Sequence, residues 1–370
     1  MRKIIINGAN GYVASNFIHE LLAQNYKVIA LVRDNSKYSA DERMSDALNK
    51  ISYETYEDVH NLTVFSYSLL ENNFSIPEEQ LAEIFSGSVD YYHFAASLKY
   101  DLKSKDEIFA TNIGGIENSL KIFSKYSGSN SRFFFVSTAY SCGNIQGEFK
   151  EEFYDNAEIS EFRNYYEQSK RFAENIVKNE MEKHNLDAHI LRLSQVVGDS
   201  KSGITKTDYG IFDFAKRIHG LAYKYPNQTV RVQVDPNSTQ NLIPINIVIR
   251  YLLRTVEIQH LPVVLNFVAK NSVKNIHIIN SLRQLLPIDI IPVKTIEKSD
   301  MNALERMISV GMSFTGGYIK TNILFETQNL NKIILSDGND TNERIIFRML
   351  EFFIDELLDK RKKNVLQTAC

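Results

Sequence analysis

The sequence predicts an α/β protein, a doubly wound parallel sheet carrying a smaller C-terminal lobe, and three observations predict it. Short apolar runs alternate with amphipathic stretches through the first half of the 370 residues, the pattern of βαβ units that feed a parallel sheet. The opening run contains Ile4, Ile5 and Ile6 in succession, as a strand buried on both faces requires. A glycine-containing turn, Gly8 to Gly11, follows at once and leads into Val13, Phe17, Leu21 and Leu22 at helical spacing.

Taken in order, strands are expected at Lys3 to Ile6, Tyr26 to Val32, Thr63 to Phe65, Val89 to Phe94, Arg132 to Val136 and Ala188 to Val197, six in all. The stretches Asn112 to Tyr126 and Phe162 to His184 read as helices between them. Beyond residue 200 the periodicity loosens. Lys201 to Gly210 is polar and glycine-containing and reads as a loop, Leu265 to Ala269 as a late strand, and Asn280 to Leu286 and Glu343 to Asp359 as helices. The basic run Lys360 to Lys363 reads as a solvated face.

Composition narrows the class. A formal net charge of −3 and a pI near 6.3 argue against a nucleic-acid protein, which would carry a basic patch or stripe. No apolar run approaches the roughly 18 residues of a membrane span, and the N-terminus runs directly into a strand, so neither a span nor a secretory leader is expected and the expected compartment is the cytoplasm. Two cysteines, Cys142 and Cys370, are too few for a disulfide framework or a cysteine-based zinc site, and the eight histidines form no i, i+4 pair. No metal is expected, His184 and His189 read as surface groups, and oligomeric state is left open.

The turn Asn7-Gly8-Ala9-Asn10-Gly11-Tyr12-Val13-Ala14 has the spacing G-x-x-G-x-x-A between a first strand and a helix. Glycine suits both a tight turn and a close approach of backbone to pyrophosphate, and a helix N-terminus holds the anion. Gly8, Asn10, Gly11, Tyr12 and Val13 are therefore the candidate cofactor contacts, and the sheet reads as a Rossmann sheet. After the second strand stands Arg33, with Arg43 ten residues on. An NAD site usually places a carboxylate there, whereas arginine accommodates a 2′-phosphate. NADP(H) is favoured over NAD(H), the competing reading being two surface arginines with Asp34 partly neutralising Arg33. Residues 1–200 are then the cofactor domain, with a returning segment near 241–270, and 201–370 mainly a substrate lobe.

The fifth strand ends in Val136-Ser137-Thr138-Ala139-Tyr140, and Tyr166-Glu167-Gln168-Ser169-Lys170 lies on the next helix. A four-residue spacing puts Tyr166 and Lys170 on one face. A nearby ammonium lowers a tyrosine pKa toward working pH, so that the phenol can give a proton to a carbonyl as hydride arrives while the Thr138 hydroxyl holds the same oxygen. Of the 19 tyrosines only Tyr166 has a lysine four residues on. Tyr140, Phe212 and Phe214 are candidates to line an apolar acyl pocket, and Gly203 is a candidate substrate contact. Cys142 has no His or Asn partner in view and reads as a bystander.

These motifs resemble the extended short-chain dehydrogenase/reductases. The small pair Ala95-Ala96 in His93-Phe94-Ala95-Ala96-Ser97 matches the family's strand-four alanines, which implies cofactor lying against that backbone, and Asn112 matches its helix asparagine, which implies support of a proton-relay water. Within the superfamily the chain is most similar to thioester reductase domains and fatty acyl reductases of the male-sterility type. That similarity rests on Ser137 to Tyr140, Tyr166 to Lys170, Val196-Val197-Gly198-Asp199-Ser200 with Gly203, Asn241 to Pro244, and Arg33 with Arg43. It covers residues 1 to about 270, with an echo at Phe325 to Leu330. Two positions depart from the family pattern: Tyr67-Ser68 replaces an adenine-contacting Gly-Asp, and Leu193 replaces a proline.

The resemblance implies an NADPH-dependent reductase that delivers hydride to an acyl thioester, as a coenzyme A ester or on a carrier protein, and releases an aldehyde or alcohol. Thr138 and Tyr166 would hold the oxyanion, and Lys170 the nicotinamide ribose. Such a reductase would fill the chain, so that its small-molecule acyl substrate arrives from another molecule. The same scaffold also serves ketone reductases and nucleotide-sugar epimerases or dehydratases. A non-catalytic NADPH-binding regulator would be expected to break the Tyr-Lys pair, which is intact here.

Overall fold

The computed structural model describes residues 2–51, 60–310, 317–318, 320–334 and 341–368. In chain order the strands are β1 Lys3–Asn7, β2 Val28–Val32, β3 Leu62–Ser66, β4 Val89–His93, β5 Arg132–Thr138, β6 Glu148–Phe149, β7 Ala188–Leu193, β8 Gln195–Val197, β9 Gln228–Gln233, β10 Thr239–Gln240, β11 Leu242–Pro244, β12 Val264–Phe267, β13 Val273–Lys274, β14 Ile288–Val293 and β15 Leu324–Phe325. The helices are α1 Tyr12–Ala23, α2 Ala40–Asn49, α3 Glu78–Ile84, α4 Lys105–Phe109, α5 Gly115–Tyr126, α6 Tyr165–His184, α7 Ile211–Lys224, α8 Ile245–Glu257, α9 Asn275–Leu285, α10 Ala303–Val310, α11 Gln328–Ile333 and α12 Glu343–Thr368. The chain divides into two compact units, one of Met1–Ser194, Val248–Phe267 and Phe325–Ser336, the other of Gln195–Ile247, Val268–Leu324 and Asp337–Cys370.

The first unit is built on a seven-stranded sheet in the order β12-β7-β5-β4-β1-β2-β3, parallel throughout. Strand order reverses between β1 and β4, and in open α/β sheets ligands gather beyond the strand ends at such a switch point. The three central phenylalanines explain the unbroken burial of β5: Phe133 and Phe135 face a layer with Phe123 and Tyr91, while Phe134 stacks on Tyr92 at 4.3 Å. At the other end of β4, buried Asp90 meets Arg132, whose Nε donates to it at 2.8 Å.

The late strand expected at Leu265 to Ala269 is Val264–Phe267, which pairs alongside β7 and makes the sheet seven strands rather than six. Its polar Asn266 is accommodated in place, the side-chain amide donating to the carbonyls of Phe149 at 3.1 Å and Glu326 at 3.0 Å. The single strand expected over Ala188 to Val197 is two. The Ser194 N–H makes a last bond to Phe267 O at 3.0 Å, and β8 then leaves the sheet to pair with β11. The helix expected from Asn112 begins earlier, at Lys105, and passes through a π turn at Ala110–Gly114. His189, expected at the surface, is buried against Phe134 at 5.1 Å.

The second unit holds β8 with β11, β9 parallel to β14, and β10 antiparallel to β13. Its core joins α7, α9 and α12 side chains, including Phe212 packed on Phe353 at 5.2 Å. The loop expected over Lys201 to Gly210 contains no helix or strand.

Candidate active site

At the switch point the end of β1 is stitched to the end of β4 by one side chain. The Asn7 carbonyl oxygen accepts the N–H groups of Phe94 at 2.8 Å and Ala95 at 3.0 Å. Its amide donates to Tyr91 Oη at 2.8 Å and lies 2.9 Å from His93 Nδ1. Burial, and then the Lys170 charge, drive the His93 pKa down to about 3, so this imidazole is neutral. Gly8 has φ +59°, and a Cβ there would come within 2.8 Å of Ala95 N. Only glycine fits, because the turn is left-handed and the two strand ends touch.

Gly11 caps α1 with extended backbone, and no side chain caps the helix. A helix that opens this way, from an exposed Gly11 with no side-chain cap on its first N–H groups, suits an anion such as a pyrophosphate at its N-terminus. Asn10, Tyr12 and Val13 stand around the same turn, half-buried. The departure at Tyr67 has a local role: the buried hydroxyl accepts the Gly8 N–H at 3.2 Å. Burial pushes that phenol up to about 12, against the Gly8 N–H and the Arg33 charge.

Beyond β2, Arg33 is exposed. Arg43 donates to the Arg33 carbonyl oxygen, so the second arginine of the expected pair braces the backbone of the first. The Asp34 carboxylate accepts the Ala40 N–H at 2.6 Å and the Ser66 hydroxyl, and it anchors the loop that presents Arg33. Ala95 and Ala96 follow β4, both half-buried.

The second cluster lies at the end of β5. Lys170 is 3% exposed, and its Nζ donates to Val136 O at 2.8 Å above the Phe135 ring, 4.7 Å from the centroid. Burial pulls this ammonium down to about 7, with Glu174 opposing the shift. Tyr166 is half-buried one turn earlier. Burial, and then Glu167, hold its phenol well above the usual tyrosine value. That runs against the expected depression by lysine: the Lys170 ammonium is itself weakened by burial and engaged with β5.

The Thr138 hydroxyl donates to Leu193 O at 3.3 Å and accepts the Tyr140 N–H at 3.2 Å, capping the turn after β5. Asn112 sits in the π turn, a feature frequent at functional sites. Its carbonyl oxygen accepts the Ser97 N–H at 2.7 Å, and its amide donates to Ser169 Oγ at 2.8 Å. The side chain expected to support a water thus joins the β4 exit to α6.

The structure therefore gathers Asn7, Gly8, Ala95, Asn112, Thr138, Tyr166 and Lys170 on one unit. Two expected substrate contacts have structural work instead. Phe212 is fully buried in the core of the second unit, as Phe214 nearly is, and Gly203 (φ +79°) lies so close to Arg348 that a Cβ would reach 2.7 Å from its Cγ. Tyr140 meets Phe325 edge-on at 6.4 Å. The Cys142 thiol is buried, and burial, then Glu167, push it up to about 12, which leaves little thiolate for nucleophilic work. Among the described residues no group of three or more His, Cys, Asp or Glu could hold a metal ion. Glu174 with its two arginines escaped the sequence reading, although a glutamate four residues past Lys170 on the same helix face marks it.

The model of the NAD-binding male sterility protein family matches residues 6–252. The chain belongs to this family. Among curated relatives, the nonribosomal peptide synthetase asaC of Aspergillus flavus is 24% identical over 260 residues, covering 68% of this chain and 24% of that protein. Fatty acyl-CoA reductase 2 of Mus musculus is 26% identical over 152 residues, 39% of this chain and 29% of its own length. The chain thus spans about a quarter of each. The fold matches the terminal R domain of the myxalamid PKS-NRPS pathway with TM-score 0.74 at 16% identity, over 97% of this chain and 92% of that one. It matches a thiolation-reductase di-domain from an archaeal nonribosomal peptide synthetase with TM-score 0.73 at 19% identity, over 96% and 75%. A UDP-glucuronic acid 4-epimerase from Bacillus cereus follows the same fold, with TM-score 0.65 at 15% identity over 95% of each chain. Among the described residues no helix is long and apolar enough to cross a membrane.

Proposed function

We propose that this reductase uses NADPH to reduce an acyl thioester, carried by coenzyme A or by a separate carrier protein, to an aldehyde and in a second round to an alcohol. The observation that carries the reading is the β5–α6 corner, where Tyr166 and buried Lys170 lie one turn apart beside the Thr138 turn. The thioester class rests on the family match, on the peptide-synthetase and fatty acyl-CoA reductase relatives, and on the fold shared with R domains. The carrier-protein alternative draws on the thiolation-reductase di-domain.

The bound nicotinamide supplies hydride. Tyr166 gives its proton to the carbonyl oxygen, and Thr138 turns its hydroxyl from Leu193 O to share that oxygen. The reduced thioester then expels its thiol to leave the aldehyde. A phenol held above the usual tyrosine value stays protonated at working pH, as a proton donor must. Lys170 holds the nicotinamide ribose and recharges the tyrosine. Gly8, Asn10 and Gly11 of the turn before α1, with Tyr12 and Val13 of its first turn, would hold the pyrophosphate, Ala95 and Ala96 would contact the cofactor, and Arg33 would pair with a 2′-phosphate, favouring NADPH over NADH.

The test is NADPH oxidation over a panel of acyl-CoAs, ketones and aldehydes, with trapping of any aldehyde formed. Thioester-dependent oxidation with trapped aldehyde is expected. Oxidation with ketones and none with any thioester would move the protein to the ketoreductase reading.

A further inference from the structure

Behind the β5–α6 corner lies a fully buried carboxylate. Glu174 follows Lys170 by one helical turn and is 0% exposed. Its oxygens accept the Ser137 hydroxyl at 2.6 Å and the Ser141 hydroxyl at 2.8 Å, the two residues that bracket the Thr138 turn. Arg171 pairs with it at 2.9 Å, and Arg192 of β7 at 2.7 Å. Arg171 also donates through Nε and a terminal nitrogen to Ser141 O, both at 3.1 Å. Arg192 reaches the carbonyls of Lys150 and Glu152, each at 2.9 Å. One side chain therefore joins the helix bearing Tyr166 and Lys170 to the turn bearing Thr138.

Such a carboxylate has more than a packing role when its charge bears on the neighbouring ammonium. Around Lys170 the facing groups are Tyr166 and Glu174 on its own helix, the Val136 carbonyl and Phe135 ring on β5, and neutral His93 on β4, which feels the Lys170 charge. Glu174 is the anion in that set. Two hydroxyls and two guanidiniums aim it, so it is not free to turn away.

We propose that Glu174 is a positioning residue of the reductase, which fixes the Thr138 turn against α6 through Ser137 and Ser141 and keeps Lys170 charged for its work beside Tyr166. The proposal rests on Tyr166 and Lys170 as the working pair and is independent of the thioester assignment. Replacing the carboxylate with a neutral amide keeps its volume and removes the charge. Cutting the hydroxyl ties keeps the charge and loosens the turn. The two functions therefore separate.

The experiment compares E174Q, the pair R171Q/E174Q and the pair S137A/S141A with the unaltered protein and with Y166F. The paired glutamine variant keeps the native charge balance of the cluster and is read in place of E174Q where the single variant does not fold. The first readout is the Cε resonance of Lys170 in cofactor-free protein grown with isotope-labelled lysine, assigned with K170M, as a function of pH. The second is the alkaline limb of kcat/KM for NADPH oxidation. Loss of the Glu174 charge is expected to move both the resonance midpoint and the limb to lower pH, by about one unit or more. S137A/S141A should leave both where they are and lower kcat about tenfold. An unmoved Lys170 midpoint in the glutamine variants, or an unchanged kcat in S137A/S141A, overturns the proposal. Full turnover by Y166F would instead remove the working pair, an outcome separable because the resonance reports Lys170 without turnover.

Discussion

The two halves of the site are built on opposite plans. On the cofactor side the working groups are backbone and exposed charge: a left-handed Gly8, an uncapped helix start, and Arg33 standing in solvent with Arg43 bracing its carbonyl. On the chemical side they are buried. Lys170, Glu174, Arg171 and Arg192 lie at or below 3% exposure, the two arginines paired with Glu174 and Lys170 bonded to Val136 O. In the proposed reading, an exposed arginine would select the dinucleotide at small cost to the fold, whereas buried charges would hold the reacting groups in one geometry. Each buried charge depends on its partners, because an unpaired buried charge is strongly destabilising.

That contrast breaks first on the chemical side. Y166F should lower turnover by about 10²- to 10⁴-fold, the range for loss of a general acid, while NADPH affinity measured by fluorescence titration changes little. Retained turnover would take Tyr166 out of the chemistry. Next in size is Glu174. Burial alone would raise its carboxyl, yet Arg171, Arg192 and the Ser137 hydroxyl together bring it down to about 2. A depressed carboxyl contributes stability that is complete above its unfolded value near 4.5 and is lost as pH falls toward 2. The contribution is on the order of 3 kcal/mol. Acid unfolding should therefore steepen over that window in the native protein and flatten in R171Q/E174Q, and superimposable curves would contradict the assignment.

On the cofactor side, G8A should cost about 1–3 kcal/mol in thermal unfolding and weaken both NADPH and NADH, since a Cβ would press on the Ala95 N–H that Asn7 holds. Smallest is R33A, expected to weaken NADPH about tenfold more than NADH, roughly the 1.4 kcal/mol of one exposed charge contact with a phosphate. Equal losses for the two dinucleotides would break the 2′-phosphate reading.

The same contrast explains what was legible in the sequence. The three isoleucines of β1, the glycine turn and the Tyr166–Lys170 spacing are local patterns, and each is found in the element expected. What escaped depends on pairing between distant segments. The late strand lies where the sequence puts it, but its place in the sheet, beside β7, is set by pairing alone, and the apolar run from Ala188 breaks at Ser194 because β8 finds β11. Tyr67 looks like a defect in an adenine site until its hydroxyl is seen under Gly8. Phe212 has the chemistry of a pocket wall, but periodicity alone does not tell a pocket wall from a core position, and it packs on Phe353. The buried carboxylate Glu151 is a further case: it accepts backbone N–H groups from Asn266 and Leu330, more than a hundred residues away, at 2.8 and 3.2 Å.

The most direct measurement is single-turnover reduction of a long-chain acyl-CoA by the purified protein with stoichiometric NADPH, following nicotinamide absorbance, free thiol and trapped aldehyde together. Thioester reduction through the Tyr166–Lys170 corner predicts thiol and aldehyde appearing in step with NADPH loss, and none of the three in Y166F. NADPH loss with a ketone and no thiol from any thioester, coenzyme A or carrier-bound, would contradict it.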